Sequence, residues 1–205
     1  MLLTVDAYNR IGERIALRAM FEARKRVFVD LLKWDIPVLD GRFEIDQFDD
    51  SHAIYIILTD REHRHLGSAR LLPTTRPGIL DTLYLDLCDA PPPAGDRVFE
   101  ITRFCLSPDM RAAERRIVRN KLVSALAAFA VGNGIETYTG VAEKGWLDQI
   151  LTFGWDCRLL GAPRTDGRAV LGAIRINIDA ETIPALERAG VYADPDQVFP
   201  ATRAA

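Results

Sequence analysis

The strand-like stretch RVFEITRFCLSP, Arg97 to Pro108, carries Glu100 and Arg103 among Val98, Phe99, Ile101, Phe104, Cys105 and Leu106. A carboxylate and a guanidinium three residues apart can move a proton and orient an anion, provided both reach one cleft. In a regular strand they point to opposite faces, because successive side chains alternate. A β-bulge between them would shift that parity and bend the strand, turning both charges to the same side. The competing reading is an internal ion pair that only supports the fold, since a buried charge is tolerated when it is paired and hydrogen-bonded.

Other charges interrupt apolar patterns. Residues from about 10 to 33 read as a helix, with Leu17, Met20, Phe21, Val27, Phe28 and Leu31 on one face. Arg24 lies on that face, four residues after Met20 and four before Phe28, either as a functional side chain or as an arginine snorkelling from the stripe's edge. Arg70 stands inside LGSARLLPT, which reads as a strand paired with AIYIILTD. Between helix and strands runs KWDIPVLDGRFEIDQFDD, with Trp34 and the carboxylates of Asp40, Glu44, Asp46, Asp49 and Asp50. A solvated acidic loop is the default reading of that run. Calcium loops need a central glycine and a terminal glutamate at spacings absent here. His63 and His65 fall in the turn DREHRH and read as solvent-facing; with no further ligand types nearby, no metal site is predicted.

These residues need a framework. The chain has 205 residues, 48% of them hydrophobic and 27% charged, and a formal net charge of -3. That balance suits one globular domain and argues against nucleic acid as a main partner. The longest apolar run, Ala125 to Val131, is far too short to span a bilayer, and the N-terminus lacks the basic, then apolar, pattern of a secretory signal. Cys88, Cys105 and Cys157 form no C-x-x-C pair, so zinc and redox motifs are absent and reduced thiols in the cytoplasm are expected. No glycine-rich dinucleotide or P-loop signature and no G-x-S-x-G occur.

The order of elements is a helix, a run of strands, a long irregular excursion over TTRPGILDTLYLDLCDAPPPAGD, the charged strand, a long helix, then strands and short helices. Ser107 or Asp109 could cap the long helix, and Ile117, Leu122, Leu126, Phe129 and Ala130 supply its apolar face. This predicts an α/β protein: a three-layer α/β/α sandwich around a mixed, mainly antiparallel twisted sheet.

Taken together, Arg24, Phe28, Trp34, Asp46 and Asp49 in EIDQFDD, Arg70 in GSARLLPTT, and Glu100 with Arg103 in EITRF resemble the acyl-homoserine-lactone synthase (autoinducer synthase) family in order and approximate spacing. The resemblance continues weakly through FGWDCRLLGAP. It implies an N-acetyltransferase-like fold over residues 1–205 as a single domain, with about 1–50 as helix and substrate-covering loop and about 190–205 as a frayed tail. It implies two substrates, S-adenosylmethionine and an acyl thioester on acyl carrier protein or coenzyme A. S-adenosylmethionine is then consumed, so no cofactor, metal or obligate protein partner is expected.

On that reading Glu100 is the base for the attacking amine, and Arg24, Arg70 and Arg103 are candidates to orient the substrate carboxylate. Phe28 and Trp34 either offer flat faces to adenine or to the sulfonium cation, or pack in the core. Asp46 and Asp49 add negative potential there, or tie the N-terminal segment down through the arginines. Ile101, Phe104, Leu126, Phe129, Val141, Trp146 and Ile150 are candidates for an apolar slot for the acyl chain. Gly140 falls where family members accepting 3-oxo chains carry threonine, and Trp146 is bulky. The first speaks against a 3-oxo acyl group, and the second favours a short, branched or aromatic one. Arg111, Arg115, Arg116, Arg119 and Lys121 form either a basic cluster suited to an acidic carrier or to phosphates, or an ordinary solvated helix face, and the acetyltransferase glycine loop is missing from RRIVRN. A conventional N-acetyltransferase and a non-catalytic S-adenosylmethionine binder are the alternatives.

Overall fold

The computed structural model describes residues 1–167 and 169–197, so only part of the expected tail falls within it. They form two compact units. The first comprises Met1–Arg70, Arg103–Ala125 and the segment from Ala193, and the second Leu71–Thr102 and Leu126–Tyr192. The strands are mixed in direction and mainly antiparallel, with helices packed on them, as an α/β fold requires.

In the first unit the strand order is β1 (Leu2–Val5), β4 (Ile54–Thr59), the part of β5 (His65–Pro73) up to Arg70 and the part of β6 (Val98–Leu106) from Arg103 on. β1 pairs antiparallel with β4, Val5 opposite Tyr55. Tyr55, Ile56, Ile57 and Leu58 are all buried, so β4 is covered on both faces and reads as an unbroken apolar run. Helix α1 (Arg14–Arg24) turns Ala16, Leu17, Met20, Ala23 and Arg24 inward, the spacing that marked its stripe. The chain does not continue as an α-helix to residue 33. Lys25–Leu31 form a π-helical turn, and Leu31 is exposed. A short hairpin, β2 (Val38–Leu39) and β3 (Phe43–Glu44), follows.

In the second unit β6 pairs parallel with β7 (Thr137–Glu143), and β7 pairs antiparallel with β10 (Ala169–Asn177). β8 (Asp156–Leu159) and the unforeseen β9 (Arg164–Asp166) pair with β10. Register divides the residues between two faces. Thr139 and Val141 share one face with Glu100, and Val141 packs with Leu80, Leu87, Leu171 and Ala173. Tyr138 faces the other way, its hydroxyl donating to the Leu126 carbonyl of α3 (Ala112–Gly132). The excursion after β5 is more ordered than its sequence suggests: it holds α2 (Ile79–Leu83) and a 3-10 turn over Leu85–Leu87.

Among the described residues no helix is long and apolar enough to cross a membrane.

Candidate active site

The three arginines that interrupt apolar patterns converge within the first unit. Arg24 is 0% exposed and Arg70 1%. The Arg24 fork meets Asp49 at both ends, Nη1 to Oδ1 at 2.8 Å and Nη2 to Oδ2 at 2.9 Å, while its Nε donates to Glu44. Arg70 takes Asp46 in the same bidentate way, at 2.6 and 3.1 Å, and its Nη1 also lies 2.9 Å from Asp49 Oδ1. Arg103 donates from Nε to Glu44 at 3.2 Å and from Nη2 to Asp46 at 2.7 Å. Three cations and three carboxylates thus cancel, which is what makes so many buried charges tolerable. Arg24 is therefore no snorkelling side chain. The acidic loop is not simply solvated either, because three of its members turn inward. Glu44, which the sequence did not single out, is the carboxylate shared by Arg24 and Arg103.

Burial works against the Arg24 cation, but the hydrogen bonds and charges of Asp49 and Glu44 outweigh it and hold its pKa above the ordinary value. Burial likewise opposes the Asp49 anion, but Arg24 and then Arg70 outweigh it and hold the carboxyl well below the usual carboxylate range. The Tyr55 hydroxyl donates to Asp49 at 3.0 Å. Burial, reinforced by the Asp49 charge, raises its pKa.

At the edge of this network lie the two aromatics. Phe28 and Trp34 stack with ring centroids 4.7 Å apart and 18° between planes, and the Arg103 guanidinium sits 5.7 Å from the Phe28 centroid. The π-helical turn sets this geometry: Phe28 lies within it, and its carbonyl accepts the Trp34 N–H at 2.9 Å. Phe28 is itself buried and stacked on Trp34, so the half-buried Trp34 is the member of the pair with surface left for a ring or a cation.

The strand carrying Glu100 and Arg103 breaks its alternation. Glu100 and Thr102 are buried, then Cys105, and Arg103 between them has a left-handed φ of 50°. The parity shifts by one residue there, as a bulge would shift it. Glu100 itself, in the second unit, is 2% exposed and accepts the backbone N–H groups of Ile79 and Leu80 at 2.9 and 3.0 Å.

The candidate acyl-slot residues are distributed more widely. Leu126 and Ile150 are buried, and Ile101, Phe129, Val141 and Trp146 half-buried, all in the second unit; Phe104 is half-buried in the first. Trp146 packs edge-on to Phe153 at 5.6 Å. Val141 and Leu126 lie toward opposite faces of β7, as Val141's neighbours and the Tyr138 hydrogen bond show.

In the basic cluster Arg111 and Arg116 are exposed, Arg115 is tied to the Ser107 carbonyl and Arg119 to Asn120. Lys121 differs: it is buried and donates to the Gln197 carbonyl. Ile117 faces outward instead of joining the helix's apolar face, and Asp109 pairs with Arg26.

His65 opens β5 and is buried, contrary to its solvent-facing reading, with Nε2 2.8 Å from Ser68 Oγ. Burial, helped by the Arg24 charge, lowers its pKa to about 3. The three thiols are unpaired, and burial raises the pKa of each, to about 12 for Cys105 and Cys157.

Known proteins share this arrangement of sequence and fold. The family model described as autoinducer synthase matches residues 9–186. An acyl-homoserine-lactone synthase of Ralstonia nicotianae is 33% identical over 183 residues, spanning 86% of this chain and 89% of the relative. The solved structure of a CoA-dependent acyl-homoserine lactone synthase, BjaI, with SAM and isopentyl-CoA superimposes with a TM-score of 0.85 at 26% identity, covering 97% of this chain and 92% of that one. An N-acetyltransferase structure from Lactobacillus plantarum, at 17% identity and a TM-score of 0.58, shares the fold, over 87% of this chain and 98% of its own. With a family match across most of its length, the chain belongs to the autoinducer synthase family.

Proposed function

We propose that this enzyme transfers an acyl group from a thioester to the amine of S-adenosylmethionine and closes the product to an N-acyl-homoserine lactone, a quorum-sensing signal. The observation that carries this reading is the neutral network of three arginines and three carboxylates, which fixes Arg103 beside the stacked Phe28 and Trp34.

In the first step the amine nitrogen attacks the thioester carbonyl. A C–N bond forms, the C–S bond breaks and the carrier leaves as a thiol. An α-amino group is largely protonated at neutral pH, so a base must take its proton. Glu100, held on a strand, has that role directly or through a water. In the second step the carboxylate oxygen attacks the carbon bearing the sulfonium. A C–O bond forms and the C–S bond breaks with its electron pair on sulfur, releasing neutral methylthioadenosine. The sulfonium is a good leaving group, so the protein's task is to fold the chain into attack geometry. Arg103 suits that task because its fork is fixed by Glu44 and Asp46 and only its edge is solvent-accessible. Arg24 and Arg70, wholly buried and saturated with carboxylates, act by holding Asp46 and Asp49 in place.

The thioester is carried by coenzyme A or by acyl carrier protein, with Arg111, Arg115, Arg116 and Arg119 supplying positive potential. The acyl group is short, branched or aromatic. The bulk of Trp146 supports this, while Gly140 speaks only against a 3-oxo chain. The three free thiols suit a reducing cytoplasm.

One incubation tests the reading: purified protein, S-adenosylmethionine and a panel of acyl-CoA and acyl-carrier thioesters, followed for methylthioadenosine and free thiol. Release of both is expected. Thiol without methylthioadenosine would make this a conventional acetyltransferase. Neither product, alongside S-adenosylmethionine binding, would make it a binding protein.

A further inference from the structure

We infer that Gly78 is a positioning residue for Glu100, resting on the role proposed above for that carboxylate. The segment Gly78–Leu80 wraps it closely: Ile79 N–H donates to Oε2 at 2.9 Å and Leu80 N–H to Oε1 at 3.0 Å, so each oxygen has its own backbone donor. A Cβ at Gly78 would lie 2.4 Å from Oε2, closer than real side chains approach. Gly78 has a φ of -115°, which any residue adopts, so no turn requires the glycine. A side chain there would meet the Glu100 carboxylate and push it aside.

The segment is fixed from its own side as well. Gly78 N–H donates to Asp81 Oδ1 at 2.7 Å, and the Thr82 hydroxyl donates to the Gly78 carbonyl. Asp81 thus sets the turn that presents the two N–H groups, and Gly78 leaves the room for Glu100 to reach them. A carboxylate accepts at both oxygens, whereas a glutamine amide would place an NH2 against one backbone donor. The backbone therefore selects a carboxylate at position 100 and fixes where its oxygens lie. A base displaced by about 1 Å loses on the order of 10²-fold in rate.

The test is a mutant cycle on turnover. Gly78→Ala is expected to lower kcat on the order of 10²-fold while KM for both substrates stays within about twofold, since the binding groups are untouched. The same change made in Glu100→Gln should cost little more, because its effect runs through the carboxylate. Gly132→Ala, where an added Cβ meets nothing within 4 Å, controls for glycine replacement itself. Asp81→Ala loosens the turn without a clash and should show a smaller kcat loss, again masked in Glu100→Gln. It decides the matter if Gly78→Ala does not fold. Equal losses from Gly78→Ala, or from Asp81→Ala in its place, in both backgrounds would overturn the inference, as would an unchanged kcat. A wild-type protein that releases no methylthioadenosine would instead overturn the functional reading.

Discussion

Arg24 and Asp49 meet fork to fork, with two hydrogen bonds of 2.8 and 2.9 Å and both side chains about 1% exposed. Removing one partner of such a pair leaves the other charged and out of water. Asp49→Ala should therefore destabilise the fold by about 3–5 kcal/mol, with Asp49→Asn less costly because the amide keeps one acceptor. Urea unfolding of the variants measures this. A loss below about 1 kcal/mol, the range of exposed pairs, would mean that water reaches the network.

His65 makes stability depend on pH in the mildly acidic range. Its pKa is lowered to about 3 by burial. Below about pH 6.5 the unfolded chain binds a proton that the folded one refuses, so stability falls as pH drops from there toward 3. At pH 5 the loss is about 2 kcal/mol relative to pH 7. Asp49, with its lowered pKa, adds a further loss only below about pH 4. Denaturant titrations at pH 5 and 7 should show the first drop in wild type and lose it in His65→Gln. An equal drop in both proteins would assign it to other groups.

Arg103→Lys keeps the charge and discards the planar fork. The lysine cannot hold Glu44 and Asp46 together from Nε and Nη2. The thermal midpoint should move only a few degrees, while kcat/KM for S-adenosylmethionine falls about tenfold or more, the value of one or two charge-assisted hydrogen bonds. Steady-state kinetics at fixed thioester would show it, and undiminished kcat/KM would remove Arg103 from substrate orientation.

Gly140→Thr meets backbone: its Cβ would lie 2.9 Å from the Ile101 carbonyl oxygen, where β6 and β7 pair. Overpacking of this kind costs about 1–3 kcal/mol. The expected result is a less stable, slower enzyme without new 3-oxo products by mass spectrometry. A stable variant that gains such products would show that the β6–β7 ladder yields easily.

Charges placed on apolar stripes were the legible part of this site. Arg24, Arg70 and Arg103 each break a period that burial imposes, so each declared a buried partner. Their partners were harder to read. Glu44 sits in the same acidic loop as Asp40, and only the folded chain buries one and exposes the other. The π-helical turn after Arg24 was hidden because apolar spacing over seven residues does not separate it from an α-helix. His65 and Lys121 were misplaced for a common reason. Polar neighbours in sequence suggested solvent, while a strand start and a helix face turned these two inward. Gly78 lies in the excursion that reads as irregular, and its close approach to Glu100 depends on a contact 22 positions away.

The raised pKa values of Cys105 and Cys157 bear on how the protein survives its own substrates. Acyl thioesters exchange with any nearby thiolate, and a pKa of about 12 at Cys105 and Cys157 leaves roughly one molecule in 10⁵ ionised at neutral pH. The catalyst can be bathed in activated acyl donors without becoming acylated at these cysteines.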